Sequence, residues 1–450
     1  MSSLKIGIIS TMDGFPWGGS EELWAATALE ALKAGHEVFV SVHGWADEAP
    51  KVGELERHGA KIFRRGAHFS FREPSGTATS KYRDLFKTNP DVIVISQGAT
   101  FDLLDYKDLV ELLYVSPIPY VLINQYNDAI PSLTDPSRRE TASRIFSRAF
   151  RVLFVADRNR VEAERQLATK IPNAHVVLNP VNLADHSYLS WPGSKTARFA
   201  SVARLDTRYK GQDVLLESLS SDQWRARDWH LTMYGSGTHE NYLRSLVEFF
   251  GLEGRVTFAG HRSAVRAIWV EQQVLIMFSR GEGTPLALVE AMLCGRPAIV
   301  SDVGGNREWV TEPQTGFVCA APVVELARAT LERAWSVRQH WNAMGVQAHE
   351  FASARLGDPS IPRVLNVLLE ASQSKKLTDT ATGEERERLK VYRELIQPPI
   401  NRRVVEAGKA GLRRFRNELR TIRAESHKRL TQLKRVGNVV AAAHGGTRRE

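Results

Sequence analysis

The stretch VLIMFSRGEGTPLALVEAMLCGRPAIVSDVGGNREWV, Val274–Val310, reads as strand, tight loop, helix, turn, strand, loop. Val274–Ser279 is an apolar β-rich run broken by Arg280-Gly281-Glu282-Gly283. Thr284 is the expected N-cap and Pro285 the expected first helical residue, where a missing N–H costs nothing. Gly295 is expected to stop the helix and Pro297 forbids its continuation. Two carboxylates mark the unit, Glu282 in the loop and Glu290 in the helix, with seven residues between them. Free N–H groups and the positive dipole end at such a helix start suit a phosphate.

Working outward, the same alternation fills most of the 450 residues. Lys5–Ser10 is a strand, followed by a loop ending in Gly18-Gly19. Ser20 is the expected cap of a helix from Glu21 to about Ala34, and Glu37–Val42 is the next strand. A β-loop-α-β start implies a parallel sheet. Apolar runs at 60–63, 92–96, 120–124, 152–156 and 174–178 continue it, with helical stretches between them. Asn179-Pro180-Val181-Asn182 interrupts the pattern. It restarts at Phe199–Ala203 and continues through runs at 230–234, 256–259, 274–279, 297–301 and 317–320. The expected fold class is α/β, with two tandem doubly wound Rossmann-like domains. Residues 1–182 form the first and 183–346 the second. A segment at 347–372 is expected to pack back on the first, and 373–450 to form a linker and basic helical tail.

Composition narrows the class. The chain is 43% hydrophobic and 25% charged, as in ordinary globular proteins. Cys294 and Cys319 are too few for a disulfide framework and fit a reducing, cytoplasmic setting. No run of eighteen apolar residues is present to span a membrane. Between Pro399 and Val436 twelve Lys/Arg face three Glu, an excess equal to the +9 of the whole chain. The basic character is therefore that of the tail, and the globular part carries no general sign of nucleic-acid binding.

In doubly wound sheets ligands bind at the carboxyl ends of strands. Gly18-Gly19 lets backbone amides approach a ligand. Arg204 and Lys210, between a strand end and a helix start, suit a diphosphate, though a solvated basic loop has the same composition. Gly235-Ser236-Gly237 lacks the third glycine of a dinucleotide fingerprint and fits a loop passing close to a nucleotide. Glu290 stands among Leu, Ala, Val and Met, where a glutamate is costly to bury without partners. A carboxylate accepts two hydroxyl donors at once, which suits a vicinal diol. There is no P-loop, D-x-D, H-E-x-x-H, Cys/His ligand cluster or G-x-S-x-G elbow.

Together these loops resemble the retaining glycosyltransferases of family 4 (glycosyl transferases group 1), which have the GT-B fold of two domains facing a cleft. Residues 282–297 look like the family's E-x7-E motif and its continuation. Ser201-Val-Ala-Arg204-Leu and Lys210-Gly211 look like its diphosphate clamp, and Gly18-Gly19-Ser-Glu like its glycine loop. The resemblance spans about residues 1–372. It implies a hexosyltransferase-type enzyme acting on a nucleotide-diphosphate sugar and a hydroxyl acceptor, which could be a glycan or lipid-linked, without metal or other cofactor. Arg204, Lys210 and Glu282 would be the catalytic set. Gly18, Gly19, Gly235, Gly283, Thr284, Pro285, Leu286 and Glu290 would bind the donor. Many members place a histidine near the donor sugar; here the matching strand ends read Ser96-Gln97-Gly98 and Asn124-Gln125-Tyr126, so Asn124 or Gln125 would substitute.

Two other classes fit parts of the chain: a sugar-nucleotide epimerase or phosphorylase of the same fold, and a non-catalytic protein of that fold binding a partner through its tail. In the tail Val405, Leu412, Leu419, Ser426, Leu433 and Val440 form a broken heptad stripe on a basic helix. A solvated helix, a helix on anionic lipid and a partner-docking helix all fit, the lipid reading placing residues 400–440 on the inner face of a membrane.

Overall fold

Strand register follows from buried apolar runs. The computed structural model describes residues 3–66, 82–127, 133–357, 359–374 and 384–396. Strands β1 (Lys5–Ser10), β2 (Glu37–His43), β3 (Lys61–Arg65), β4 (Val92–Ala99), β5 (Tyr120–Tyr126), β6 (Arg151–Phe154) and β7 (Ala174–Val176) pair in the order β3-β2-β1-β4-β5-β6-β7. All these pairings are parallel, Ile6 facing both Val38 and Val92. Strands β8 (Ala197–Val202), β9 (Trp229–Tyr234), β10 (Val256–Gly260), β11 (Val274–Met277), β12 (Ala298–Ser301) and β13 (Gly316–Cys319) form a second parallel sheet ordered β10-β9-β8-β11-β12-β13. Helices cover both faces, so strand residues such as Ile6, Val40, Phe199 and Ile276 are fully buried. This is the two-sheet Rossmann-like architecture expected from the alternation.

Each sheet reverses its winding once. In the first, β2 and β3 build out on one side of β1 and β4 starts the other side; in the second, the switch lies between β8 and β11. A crevice opens at such a point because the two flanking loops leave in opposite directions. The loops after β8 and β11 are those carrying Arg204, Lys210, Glu282 and the start of the Glu290 helix.

Three local expectations change. The helix after β1 begins at Gly19 with Gly18 as N-cap, and no side chain caps it; Ser20 Oγ has no partner. The helix after β11 spans Leu286–Leu293, with Pro285, not Thr284, as its N-cap. The segment 347–372 is split: after helix Val324–Ser336 a helix runs Trp341–Arg355, and another begins at Ser360. Ala348 and Ala352 of that second helix lie in a core with Leu288, Met292 and Val300. Helix Ser360–Gln373 instead puts Val364, Leu365, Leu368 and Ala371 into the core under β1, β2 and the helix Gly19–Lys33. Within 347–372, then, the residues on the first sheet's core are those of the later helix.

Residues Met1–Leu377 pack as one body. Thr378–Glu450 form a second, of which helix Glu384–Ile396 is described. The basic stripe at 400–440 lies outside the described residues. Among the described residues no helix is long and apolar enough to cross a membrane.

Candidate functional site

Lys210 closes a single helical turn, Thr207–Lys210. Asp206 caps it by accepting the Arg208 N–H at 3.2 Å, and His239 Nδ1 accepts the Thr207 N–H at 3.2 Å. Gly211 follows at φ +60°, where a Cβ would stand 1.9 Å from Phe278 O, so the turn abuts the end of β11. Lys210 Nζ consequently reaches the next loop and donates to Glu282 Oε1 at 2.8 Å. Arg204 donates from Nη2 to Asp206 Oδ2 at 3.1 Å, and its guanidinium lies 4.0 Å from the centroid of the Phe15 ring. Gly235 has φ +131° and a Cβ there would meet Ala203 O at 2.0 Å, so it is the glycine that lets this loop close on β8.

The loop of Glu282 is fastened to the first sheet's strand ends. Glu282 forms an isolated antiparallel bridge with Asn127, and its carbonyl accepts from Asn159 Nδ2 at 3.2 Å. A Cβ at Gly283 would stand 1.8 Å from Gln125 O. Thr284 Oγ1 donates to Val155 O. That bond explains why Thr284 does not cap the helix: its hydroxyl is turned to the other sheet. On the far side of Pro285, Leu286 Cδ1 would touch a Cβ at Gly19 at 3.0 Å. The glycine loop and the start of the helix after the Glu282 loop thus meet directly.

Glu290 is 7% exposed, and its carboxyl group has no hydrogen-bond partner among the described residues. Burial, followed by the charge of Glu22, pushes its carboxyl up to about 7. Glu22 belongs to the helix Gly19–Lys33 and is itself held by Lys51 and by Trp17 Nε1 at 2.8 Å. A buried acid without partners is unfavourable unless a ligand completes it.

Asn124 cannot act from the first sheet: it is fully buried, accepts from Gln97 Nε2 at 2.8 Å and donates to Leu153 O at 3.3 Å. Gln125 Oε1 accepts from Asn179 Nδ2 at 2.7 Å, leaving its Nε2 without a partner. His261 is exposed. At the first sheet's own switch point stand residues no motif marked. Tyr106 donates to Thr11 O at 2.9 Å and Asp13 Oδ2 at 3.1 Å, and Asp102 accepts the Ala99 N–H at 2.7 Å. Burial raises Asp102 to about 7, with Asp13 and Asp105 adding to it. Phe15 and Arg280 were equally silent in the sequence, since a lone aromatic and a lone arginine in loops have no spacing to read. Among the described residues no group of three or more His, Cys, Asp or Glu could hold a metal ion.

Residues 196–334 match the family model described as glycosyl transferases group 1. With the two-sheet fold, this defines the class: the chain is a glycosyltransferase of the hexosyltransferase type, built on the GT-B architecture. It is 26% identical over 323 residues to an uncharacterised glycosyltransferase of Haemophilus influenzae, covering 68% of this chain and 84% of that one. It is 32% identical over 203 residues to the phosphatidyl-myo-inositol mannosyltransferase of Mycobacterium leprae, covering 43% of this chain and 52% of that protein. The solved structure of Anabaena Alr3699/HepE in complex with UDP-glucose superposes with a TM-score of 0.64, covering 82% of this chain and all of that one at 18% identity.

Proposed function

We propose that this chain is a retaining, metal-independent glycosyltransferase that moves a sugar from a nucleotide-diphosphate sugar to a hydroxyl acceptor in glycan, polysaccharide or glycolipid synthesis. The observation that carries the reading is the convergence of Arg204, Lys210 and Glu282 at the second sheet's switch point, against the glycine loop of the first. Residues 1–182 would serve the acceptor side and 183–346 the donor side.

Arg204 and Lys210 stabilise the negative charge that grows on the diphosphate as the glycosidic bond breaks, the part a divalent cation plays elsewhere. An incoming diphosphate competes with Glu282 for the Lys210 ammonium, and Glu282 then accepts from donor-sugar hydroxyls. Gly18, Gly19 and the amides of residues 283–286 flank sugar and phosphate. Glu290 accepts from the ribose hydroxyls. Retention follows from attack on the face the diphosphate leaves, with a phosphate oxygen taking the acceptor's proton, so the two glutamates bind and do not form a glycosidase-type acid/base pair.

A thermal-shift screen against UDP-, GDP-, ADP- and CDP-sugars tests the donor, because a ligand of the folded state raises the melting temperature by mass action. With the donor found, Lys210→Ala and Glu290→Ala should each abolish transfer while circular dichroism stays native; full activity in both would sink the reading. The anomeric configuration of the product, read by NMR, tests retention, and transfer in excess EDTA tests metal independence. A cytoplasmic location and an anionic membrane surface met through residues 400–440 belong to the same proposal. Liposome co-sedimentation with and without the residues after 385 decides the latter.

A further inference from the structure

The sequence marks Arg280 only as part of a strand-breaking loop. In the fold it joins the two loops that carry the charged groups of the site. Its Nη1 donates to Asp213 Oδ1 at 2.8 Å and its Nη2 to Asp213 Oδ2 at 2.9 Å, a bidentate pair. Nη1 also donates to Thr207 O at 2.5 Å, and the Arg280 backbone N–H donates to Tyr209 O at 2.8 Å. Thr207 and Tyr209 lie in the turn that ends at Lys210, and Asp213 opens the helix Gln212–Leu219 just after it. Two residues beyond Arg280, Glu282 receives the Lys210 ammonium. Segments 207–213 and 280–282 are therefore laced by the guanidinium on one side and by the Lys210–Glu282 pair on the other.

We infer that Arg280 is a positioning residue for donor binding: by holding the turn 207–210 against the Glu282 loop it sets where the Lys210 ammonium stands. A planar fork fixes the angle between two chain segments in a way a single ammonium cannot. Lysine is a flexible point charge, and a free turn would let its Nζ wander from a position that phosphate binding needs. Arg280 itself touches no atom assigned to the donor. The inference rests on the reading of Lys210 as a diphosphate ligand.

The test is a double-mutant cycle read by calorimetric binding of UDP, GDP, ADP and CDP to full-length protein, using whichever binds. Lys210→Ala should weaken binding by about tenfold or more, as loss of a charged phosphate contact does. Arg280→Gln should weaken it by about fivefold, with Arg280→Lys between it and wild type. In the double variant Arg280→Gln should add nothing to Lys210→Ala, because it acts through Lys210. Circular dichroism and the melting temperature certify the fold of each variant. If Lys210→Ala binds as tightly as wild type, or none of the four nucleotides binds, the functional reading falls. If Lys210→Ala weakens binding while Arg280→Gln leaves it unchanged, or if the two losses add, Arg280 is an ordinary brace and only this inference falls.

Discussion

Phe15 lies between Gly18 and Arg204: its ring Cε2 is 2.4 Å from where a Gly18 Cβ would be, and its centroid is 4.0 Å from the Arg204 guanidinium. Gly18 and Arg204 are the groups assigned to the diphosphate from opposite sides. An aromatic face gives a cation modest stabilisation, and a phosphate gives it more. A diphosphate that draws Arg204 off the ring does so at the loss of that contact. Phe15→Ala is expected to tighten binding of the nucleoside diphosphate by about two- to fivefold, the value of an exposed cation–π contact. Calorimetry of the pair checks it, and weaker binding by the variant would show that Phe15 touches the donor instead.

Glu290 makes binding and stability depend on pH in opposite senses. Its folded pKa of about 7 exceeds the ordinary 4.5, so between those values the folded state holds more protons than the unfolded chain. The stability it contributes is full below about 4.5 and is lost as pH rises through 7. Binding of a diol needs the carboxylate, so nucleotide affinity should rise between pH 6 and 8. Glu290→Gln should flatten both trends, as measured by melting temperature and calorimetry across that range. An affinity that rises unchanged in the variant assigns the titration to another group.

The seam between the sheets depends on glycine where backbone meets backbone. Gly283→Ala would place a methyl 1.8 Å from Gln125 O, which cannot swing aside as a side chain could. Transfer should fall and the melting temperature should drop. Gly53, half-buried in the helix Pro50–Arg57, has nothing within 4 Å of its Cβ position, so Gly53→Ala should gain about 0.5–1 kcal/mol. Equal effects of the two substitutions would contradict the seam.

Arg296 is fully buried. It donates to Trp269 O at 3.0 Å, Gln272 O at 2.8 Å, Leu189 O at 3.1 Å and Ser190 O at 2.9 Å, tying the segment before β8 to the second sheet. Arg296→Met fills much of the volume and leaves these carbonyls unpaired. It should cost about 3 kcal/mol or more, measured as a shift of the urea midpoint with unchanged slope.

The two sheets were legible because parallel strands buried on both faces must be short continuous apolar runs, and Ile6–Ser10 or Val274–Met277 have no other use. The E-x7-E spacing was legible because it is written along the chain itself, with Glu282 in the loop and Glu290 in the helix Leu286–Leu293. Thr284 was misread as a cap: its nearest acceptor is Val155, 129 residues away, and local propensity has no knowledge of it. Asn124 could stand in for a histidine on paper, yet the neighbouring strand claims its amide.

The sequence alone determined the alternation of strands and helices, the loops at strand ends and the residues that mark them, because these depend on periodicity and on backbone freedom at glycine and proline. Tertiary structure decided the partners: Lys210 with Glu282, Arg280 with Asp213, Phe15 beneath Arg204, and the isolation of Glu290. Those pairings join positions tens to nearly two hundred residues apart. Their geometry is set by how loops at the strand ends of two open sheets pack together, which no local pattern encodes.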